Sequence, residues 1–239
     1  MLLELKSITK YFGGLKAINS VDMVVEEGQI VGLIGPNGAG KTTIFNCITG
    51  FLKLNEGKVL FEDKDISGKK PNDICQLGIC RTFQISRPFG RMSVLDNVMV
   101  GSFLRVREFE ILRARNMAIG VLEFTGLASK KDQQANSLTI ADRKRLELAR
   151  SLATQPKILL LDETMAGLRP SEVNEVVALL KRIVKESNIA LVIIEHIMKA
   201  IMSISDKVVV LDYGKKIAEG TPSEVSKNPS VIEAYLGRE

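Results

Sequence analysis

Gly35-Pro36-Asn37-Gly38-Ala39-Gly40-Lys41-Thr42 fits the pattern GxxxxGK[ST] at every fixed position. That spacing suits the binding of a chain of phosphates. Glycines let successive backbone N–H groups turn inward around phosphate oxygens, and a following helix aims its positive end at them. Lys41 is placed to reach β- and γ-phosphates, and the hydroxyl of Thr42 to serve as a Mg²⁺ ligand. Gly35, Asn37, Gly38, Ala39, Gly40, Lys41, Thr42 and the adjoining Thr43 are therefore the predicted nucleotide contacts.

A second group begins at Ile158-Leu159-Leu160-Leu161-Asp162-Glu163. Four apolar residues in a row read as a strand buried on both faces, which delivers Asp162 to the carboxyl edge of a sheet, where open α/β sheets bind ligands. Asp162 is placed to hold Mg²⁺ through water, and Glu163 to polarise an attacking water. Two adjacent acids can simply open a loop; beside a phosphate loop they gain a function. His196, the only histidine, directly follows the apolar run Ala190–Glu195. It is either a surface or packing residue or a γ-phosphate contact at the same edge.

These residues need a frame. Ile30–Ile34 reads as the strand before the phosphate loop, and Lys41–Thr49 as the helix after it, stopped by Gly50. Leu3–Leu5, Val21–Val25 and Gly57–Phe61 are further strands, with Glu26-Glu27-Gly28 as a hairpin-like turn. From Pro71 to about Ala153 the pattern becomes helical, with Ser93 capping one helix, and others over 108–124 and 142–152. Strand and helix then alternate. Ser171 is expected to cap a helix with Val173, Val176, Val177, Leu180, Ile183 and Val184 on its apolar face, and Val208–Leu211 is another strand. Thr221-Pro222-Ser223-Glu224 is a capping box that opens a tail helix. A helical block inside an alternating frame predicts an α/β core carrying a helical arm.

Composition removes several classes. The chain has 239 residues, 45% hydrophobic and 26% charged, with ordinary Gly and Pro content, so it is neither collagenous nor low-complexity. The net charge of +5 is mild, aromatics are 5% and Trp is absent, which leaves few stacking platforms for single-stranded nucleic acid. Lys69-Lys70 and Arg143-Lys144-Arg145 read as solvated faces. No apolar run approaches bilayer length, and Met1–Lys6 lacks the order of a signal peptide. Cys47, Cys75 and Cys80 have neither disulfide nor zinc spacing, and are expected to be buried packing residues in a reducing compartment.

Taken together, the sequence resembles the ATP-binding-cassette ATPases over essentially its whole length. Phe12 in Lys10-Tyr11-Phe12 matches the family's adenine-stacking aromatic better than Tyr11 does. Gln84 in Arg81-Thr82-Phe83-Gln84 matches the glutamine that touches Mg²⁺ and water and faces the membrane partner. Glu195-His196 matches the switch histidine, and Ala166–Pro170 the D-loop. Arg87-Pro88-Phe89, Met92–Val98, and the ending from Ile217 to Gly237 are similar to the ATPases of branched-chain amino-acid importers.

The resemblance implies an α/β P-loop NTPase (RecA-like) core with an antiparallel β subdomain over 1–86 and 156–225. It also implies an inserted helical subdomain over 87–155 and a tail helix over 226–239. Glu163, His196 and Gln84 would be catalytic; Thr42, Gln84 and Asp162 would hold Mg²⁺; ATP would be the substrate. The partners would be two permease subunits, a second ATPase subunit and, indirectly, an extracytoplasmic solute-binding protein, with no nucleic acid and a place on the cytoplasmic face of the membrane. Phe89 would either anchor a permease helix or pack into the core. A soluble cassette ATPase, or an importer for another solute, is the alternative.

One motif departs. The family's Leu-Ser-Gly-Gly-Gln is Leu138-Thr139-Ile140-Ala141-Asp142 here. Thr139 can replace the serine hydroxyl toward nucleotide, but Ile140 and Ala141 replace glycines, and Asp142 either brings negative charge toward phosphate or caps its helix with Thr139. This asymmetry favours a heterodimer over a homodimer.

Overall fold

The computed structural model describes residues 1–84, 87–106 and 110–236. The four apolar strands predicted over 30–34, 158–162, 190–195 and 208–211 join two unpredicted ones, at 79–81 and 215–220, in a six-stranded sheet of order β10-β9-β3-β8-β7-β6. It contains β3 (Ile30–Ile34), β6 (Ile79–Arg81), β7 (Ile158–Asp162), β8 (Ala190–Ile194), β9 (Lys207–Asp212) and β10 (Lys215–Gly220). All neighbours are parallel except β9 and β10. β3, β7 and β8 are buried at every position, as strands covered on both faces must be.

A second sheet, antiparallel in the order β2-β1-β4-β5, is built from β1 (Leu3–Phe12), β2 (Leu15–Val25), β4 (Glu56–Phe61) and β5 (Lys64–Asp65). It corrects one expectation. Glu26–Gly28 does not close a hairpin, because the strands it joins, β2 and β3, belong to different sheets. Apolar residues of both sheets enclose α1 (Lys41–Ile48), whose Ile44, Phe45 and Ile48 are fully buried. Burying each such side chain contributes roughly 1.5–3 kcal/mol.

On the other face of the six-stranded sheet lies α6 (Pro170–Ser187), buried through Val173, Val176, Leu179, Leu180 and Ile183. Leu179 was not anticipated, and Val177 and Val184 are only partly buried. Arg169, not Ser171, is the N-cap: Pro170 takes the first helical position, and the Glu172 carboxylate returns to the Arg169 N–H at 2.8 Å.

The helices α3 (Val94–Ser102), α4 (Ile111–Phe124) and α5 (Ile140–Ala153) pack around a cluster of their own that includes Val94, Val98, Leu122, Leu127 and Leu146. Ser93 caps α3 as expected, accepting the Asp96 N–H at 3.0 Å. α5 begins two residues earlier than predicted, and α4 starts at Ile111; positions 108 and 109 of that predicted helix lie outside the described residues. Cys47 is buried as expected and half-buried Cys80 packs against the core beneath α6, whereas Cys75 is only half-buried, short of the packing role assigned to it. After β10, Thr221 closes the expected capping box on α8 (Pro222–Val225), and α9 (Pro229–Leu236) ends the described chain. No helix among the described residues is long and apolar enough to cross a membrane.

Candidate nucleotide site

Parallel pairing brings four carboxyl-end segments to one edge of the sheet. β3 runs into the phosphate loop, β6 into Thr82–Gln84, β7 into Glu163 and β8 into Glu195-His196. Two glycines fix the loop's path. Gly35 has φ 148°, and a Cβ there would fall 2.1 Å from the Leu211 carbonyl oxygen. Gly40 has φ 101°, and its Cβ would fall 2.6 Å from the Ala17 oxygen on β2. No other residue type fits either place.

Lys41 is buried, and its Nζ donates to the Gly35 oxygen at 2.7 Å and the Pro36 oxygen at 2.9 Å. Burial pulls its pKa below the ordinary lysine value, opposed by the negative charges of Glu163 and Asp162. The ammonium is thus tethered inside the loop by carbonyls that anionic oxygens can replace. Asn37 and Gly38 are exposed, and Ala39 is buried against the fold.

The Glu163 carboxylate is held from both sides. Gln84 donates from Nε2 to Oε2 at 2.6 Å, and His196 Nε2 lies 3.0 Å from Oε1. Three residues far apart in the chain, each predicted for this chemistry, meet at one group. The Glu163 backbone sits at φ 51°, in the left-handed region, with its N–H on the Ile194 oxygen at 2.9 Å. A non-glycine residue keeps that conformation only where its surroundings impose it.

Thr42, Gln84 and Asp162 line one cavity of about 590 Å³ together with Arg81, Phe83, Arg87, Glu147 and Arg150. A hydroxyl, a carboxylate and an amide are hard oxygen donors that suit Mg²⁺, and no cluster of three metal-binding side chains occurs among the described residues. Such a donor set fits a metal completed by phosphate oxygens and water, as Mg²⁺ usually is.

Other side chains in or near this cavity escaped the sequence reading. Arg81, buried between the Phe45 and Phe83 rings at 5.4 and 5.1 Å, ion-pairs with Asp162 at 2.6 Å and donates to Asn46 Oδ1 at 2.6 Å. Lys144 is 7% exposed, which corrects its reading as part of a solvated basic run. Buried Glu147 accepts the Phe83 N–H at 2.7 Å. No local signal marks Arg81, Lys144 or Glu147, whose partners at Asp162, Gln84 and Phe83 lie 60 or more residues away in the chain. Glu195 is also buried, accepting the Met165 N–H at 2.6 Å, and burial raises its pKa.

Phe12 stands at the end of β1, 46% exposed, with Lys10 Nζ 5.4 Å from its ring centroid. It pairs with Leu15, and two residues further along the hairpin Ala17 abuts Gly40. Tyr11 instead faces Glu56, 3.5 Å away, and Lys16. Phe83 and Phe89 are about half exposed, and Phe83 meets Phe51 edge-on at 5.9 Å. The Arg150 guanidinium carbon lies 4.9 Å from the Phe89 centroid.

The altered segment is set apart from this cluster, at the opening of α5. Thr139 Oγ1 accepts the Asp142 N–H at 3.2 Å and donates to Oδ2 at 2.7 Å, and Lys130 ion-pairs with the same carboxylate. Asp142 is buried and turned into its own helix; the Ile140 side chain projects outward, 62% exposed. The capping alternative is the one the geometry favours.

A phosphate loop, an acid pair and a capped helical arm on this sheet define a nucleotide-binding cassette, and comparison with known proteins agrees. Residues 18–166 match the "ABC transporter" family model, and the chain belongs to that family of ATP-binding cassettes. Residues 215–239 match the model "Branched-chain amino acid ATP-binding cassette transporter". The chain is 41% identical to the high-affinity branched-chain amino acid transport ATP-binding protein LivG of Salmonella typhimurium, covering 99% of this chain and 98% of that protein. It is 38% identical to a probable LivG of Archaeoglobus fulgidus, covering 99% and 95%. A nucleotide-free cassette from an ABC transporter superposes with a TM-score of 0.89 at 34% identity, over 99% of both chains.

Proposed function

We propose that this chain is the ATP-hydrolysing subunit of an importer for branched-chain amino acids, with the site residues acting as follows. The observation that carries the chemistry is the Glu163 carboxylate held between Gln84 and His196 at 2.6 and 3.0 Å. Phe12 stacks on the adenine, and Gly38, Ala39 and Gly40 offer backbone N–H groups to the phosphates. Lys41 leaves the Gly35 and Pro36 carbonyls for the β- and γ-phosphates. Glu163 accepts a proton from the attacking water, and His196 and Gln84 fix its orientation. Thr42, Asp162 and Gln84 would hold Mg²⁺, which would supply positive charge against the phosphates.

The chain's place is the cytoplasmic face of the membrane, bound to two permease subunits, with an extracytoplasmic binding protein delivering solute. The groove at Gln84, Arg87 and Phe89 receives a short permease helix. The names of the relatives and the tail match at 215–239 support the branched-chain class. The second ATPase subunit is a paralogue with glycines at its signature, since Ile140 and Ala141 keep backbone donors away from a partner's nucleotide. Purifying the native complex and identifying every subunit tests this directly. Recovery of two copies of this chain with full ATPase activity would refute the paralogue, and lack of cross-linking to a permease from cysteines at positions 87 and 89 would refute the docking face.

A further inference from the structure

Lys144 lies on a helix flanked by half-buried Arg143 and Arg145, yet it is itself buried. Burying an ammonium costs far more than burying an aliphatic chain of the same length, so it calls for specific acceptors. Two are present. Nζ donates to the Gln84 main-chain oxygen at 3.1 Å and to the Glu163 main-chain oxygen at 3.1 Å. Three residues along the same helix face, Glu147 takes the Phe83 N–H at 2.7 Å. One face of α5 thus grips the backbone at 83, 84 and 163, while the first turn of α5 is the altered signature.

We infer that Lys144 is a positioning residue that fixes the water-activating carboxylate and the Gln84 loop to α5. Glu163 is pinned on both sides of its φ 51° backbone, its N–H donating to the Ile194 oxygen and its carbonyl accepting from Lys144 at 3.1 Å and, more weakly, from the Ala166 N–H at 3.3 Å. With the Lys144 donor removed, the carbonyl keeps only the longer bond from the Ala166 N–H at 3.3 Å, the backbone can relax, and the carboxylate swings away from the water's place. The phosphate loop makes no hydrogen bond to Lys144, so nucleotide binding stays. Movement of the helical arm therefore reaches the hydrolytic group through one side chain. This inference rests on the reading of Glu163 as the water-polarising group.

The test uses the full chain with its native partners in membrane vesicles, and compares Lys144→Met, Lys144→Arg, Glu163→Gln and the double variant. Lys144→Met is expected to lower kcat by about 10- to 100-fold, the loss typical of a displaced catalytic group, with KM for ATP within about threefold. Lys144→Arg, which keeps charge and donors, should recover most of that rate. In single-turnover hydrolysis, Lys144→Met should cause no further loss once Glu163 is Gln. An unchanged kcat, a rise in KM alone, no recovery with arginine, or an equal fold-loss in both backgrounds would each overturn the inference. If Glu163→Gln alone hydrolyses at the wild-type rate, the reading of Glu163 fails instead, which separates the two. Should Lys144→Met not fold, Lys144→Gln, which keeps one amide donor, is put through the same cycle and judged by the same outcomes.

Discussion

The phosphate-loop side of this cassette and its signature side are built to different standards of completeness. On the first, the residues proposed for the chemistry converge: Lys41 inside its loop, and Glu163 between Gln84 and His196. On the second, the polar groups are spent internally, with Thr139, Asp142 and Lys130 bonded to one another. The side chain left facing outward is Ile140. On the proposed reading, a site that binds its own nucleotide is thus joined to a surface poorly equipped to donate to another's.

The largest effect should come from the complete half. Glu163→Gln is expected to slow hydrolysis by roughly 10²–10⁴-fold, the loss typical of a general base, with ATP binding intact. Steady-state phosphate release and nucleotide affinity on the same preparation measure both. Wild-type turnover would mean that another group activates the water, and the contrast between the halves would lose its first term. Lys41→Ala comes next. A charge-assisted contact contributes about 1.5–3 kcal/mol, so ATP affinity should fall by roughly 10- to 150-fold. Unchanged affinity in a direct binding titration would remove the loop from the site.

The signature half is probed by repair. The chain alone should turn over ATP more slowly than its Ile140→Gly, Ala141→Gly, Asp142→Gln triple variant, by several-fold if the backbone donors of that turn are recovered. Glycines at two helical positions also cost about 1 kcal/mol each in helix stability, so the comparison is made well below the unfolding temperature. Equal rates would show that the altered turn costs nothing, and the argument for a paralogous partner would fall with it.

The two halves also differed in how far the sequence could be read. The phosphate loop was legible because its tight turn demands glycine at fixed places, where at Gly35 and Gly40 a Cβ would strike the Leu211 and Ala17 carbonyl oxygens. The apolar runs of β7 and β8 gave both the sheet and the placement of the acids, since a strand covered on both faces leaves its first polar residue at the edge. What stayed hidden depended on partners distant in the chain. Lys144 lies 60 residues from its acceptor at Gln84, and Arg81 lies 81 from Asp162, so nothing local separates them from solvated charges. The turn at Glu26–Gly28 failed for the same reason, because local pattern says that a strand ends but not which sheet it joins. Ser171 lost its capping role to a competing rule, the preference of Pro170 for the first helical position.

The smallest effect tests where Asp142 points. Its burial opposes charge most strongly, but the Lys130 and Thr139 hydrogen bonds and the Lys130 charge together outweigh it, and the pKa lies below the ordinary aspartate value. A carboxyl group with a folded pKa below its unfolded one adds stability above the unfolded value, about 3.9, and loses it as pH falls through the folded pKa. Asp142→Asn should therefore be less stable than the native chain at pH 7 by a few tenths to about 1 kcal/mol. The gap should narrow at pH values below about 4. Thr139→Ala, which removes the cap hydroxyl, should cost about 1 kcal/mol without that acid dependence being abolished, because Lys130 still holds the carboxylate. Urea unfolding at pH 7, 5 and 4 reads both variants. If Asp142→Asn matches the native chain at every pH, the carboxylate is not committed to its helix. It would then be free to face a neighbouring nucleotide, and the signature half would be repulsive rather than merely withdrawn.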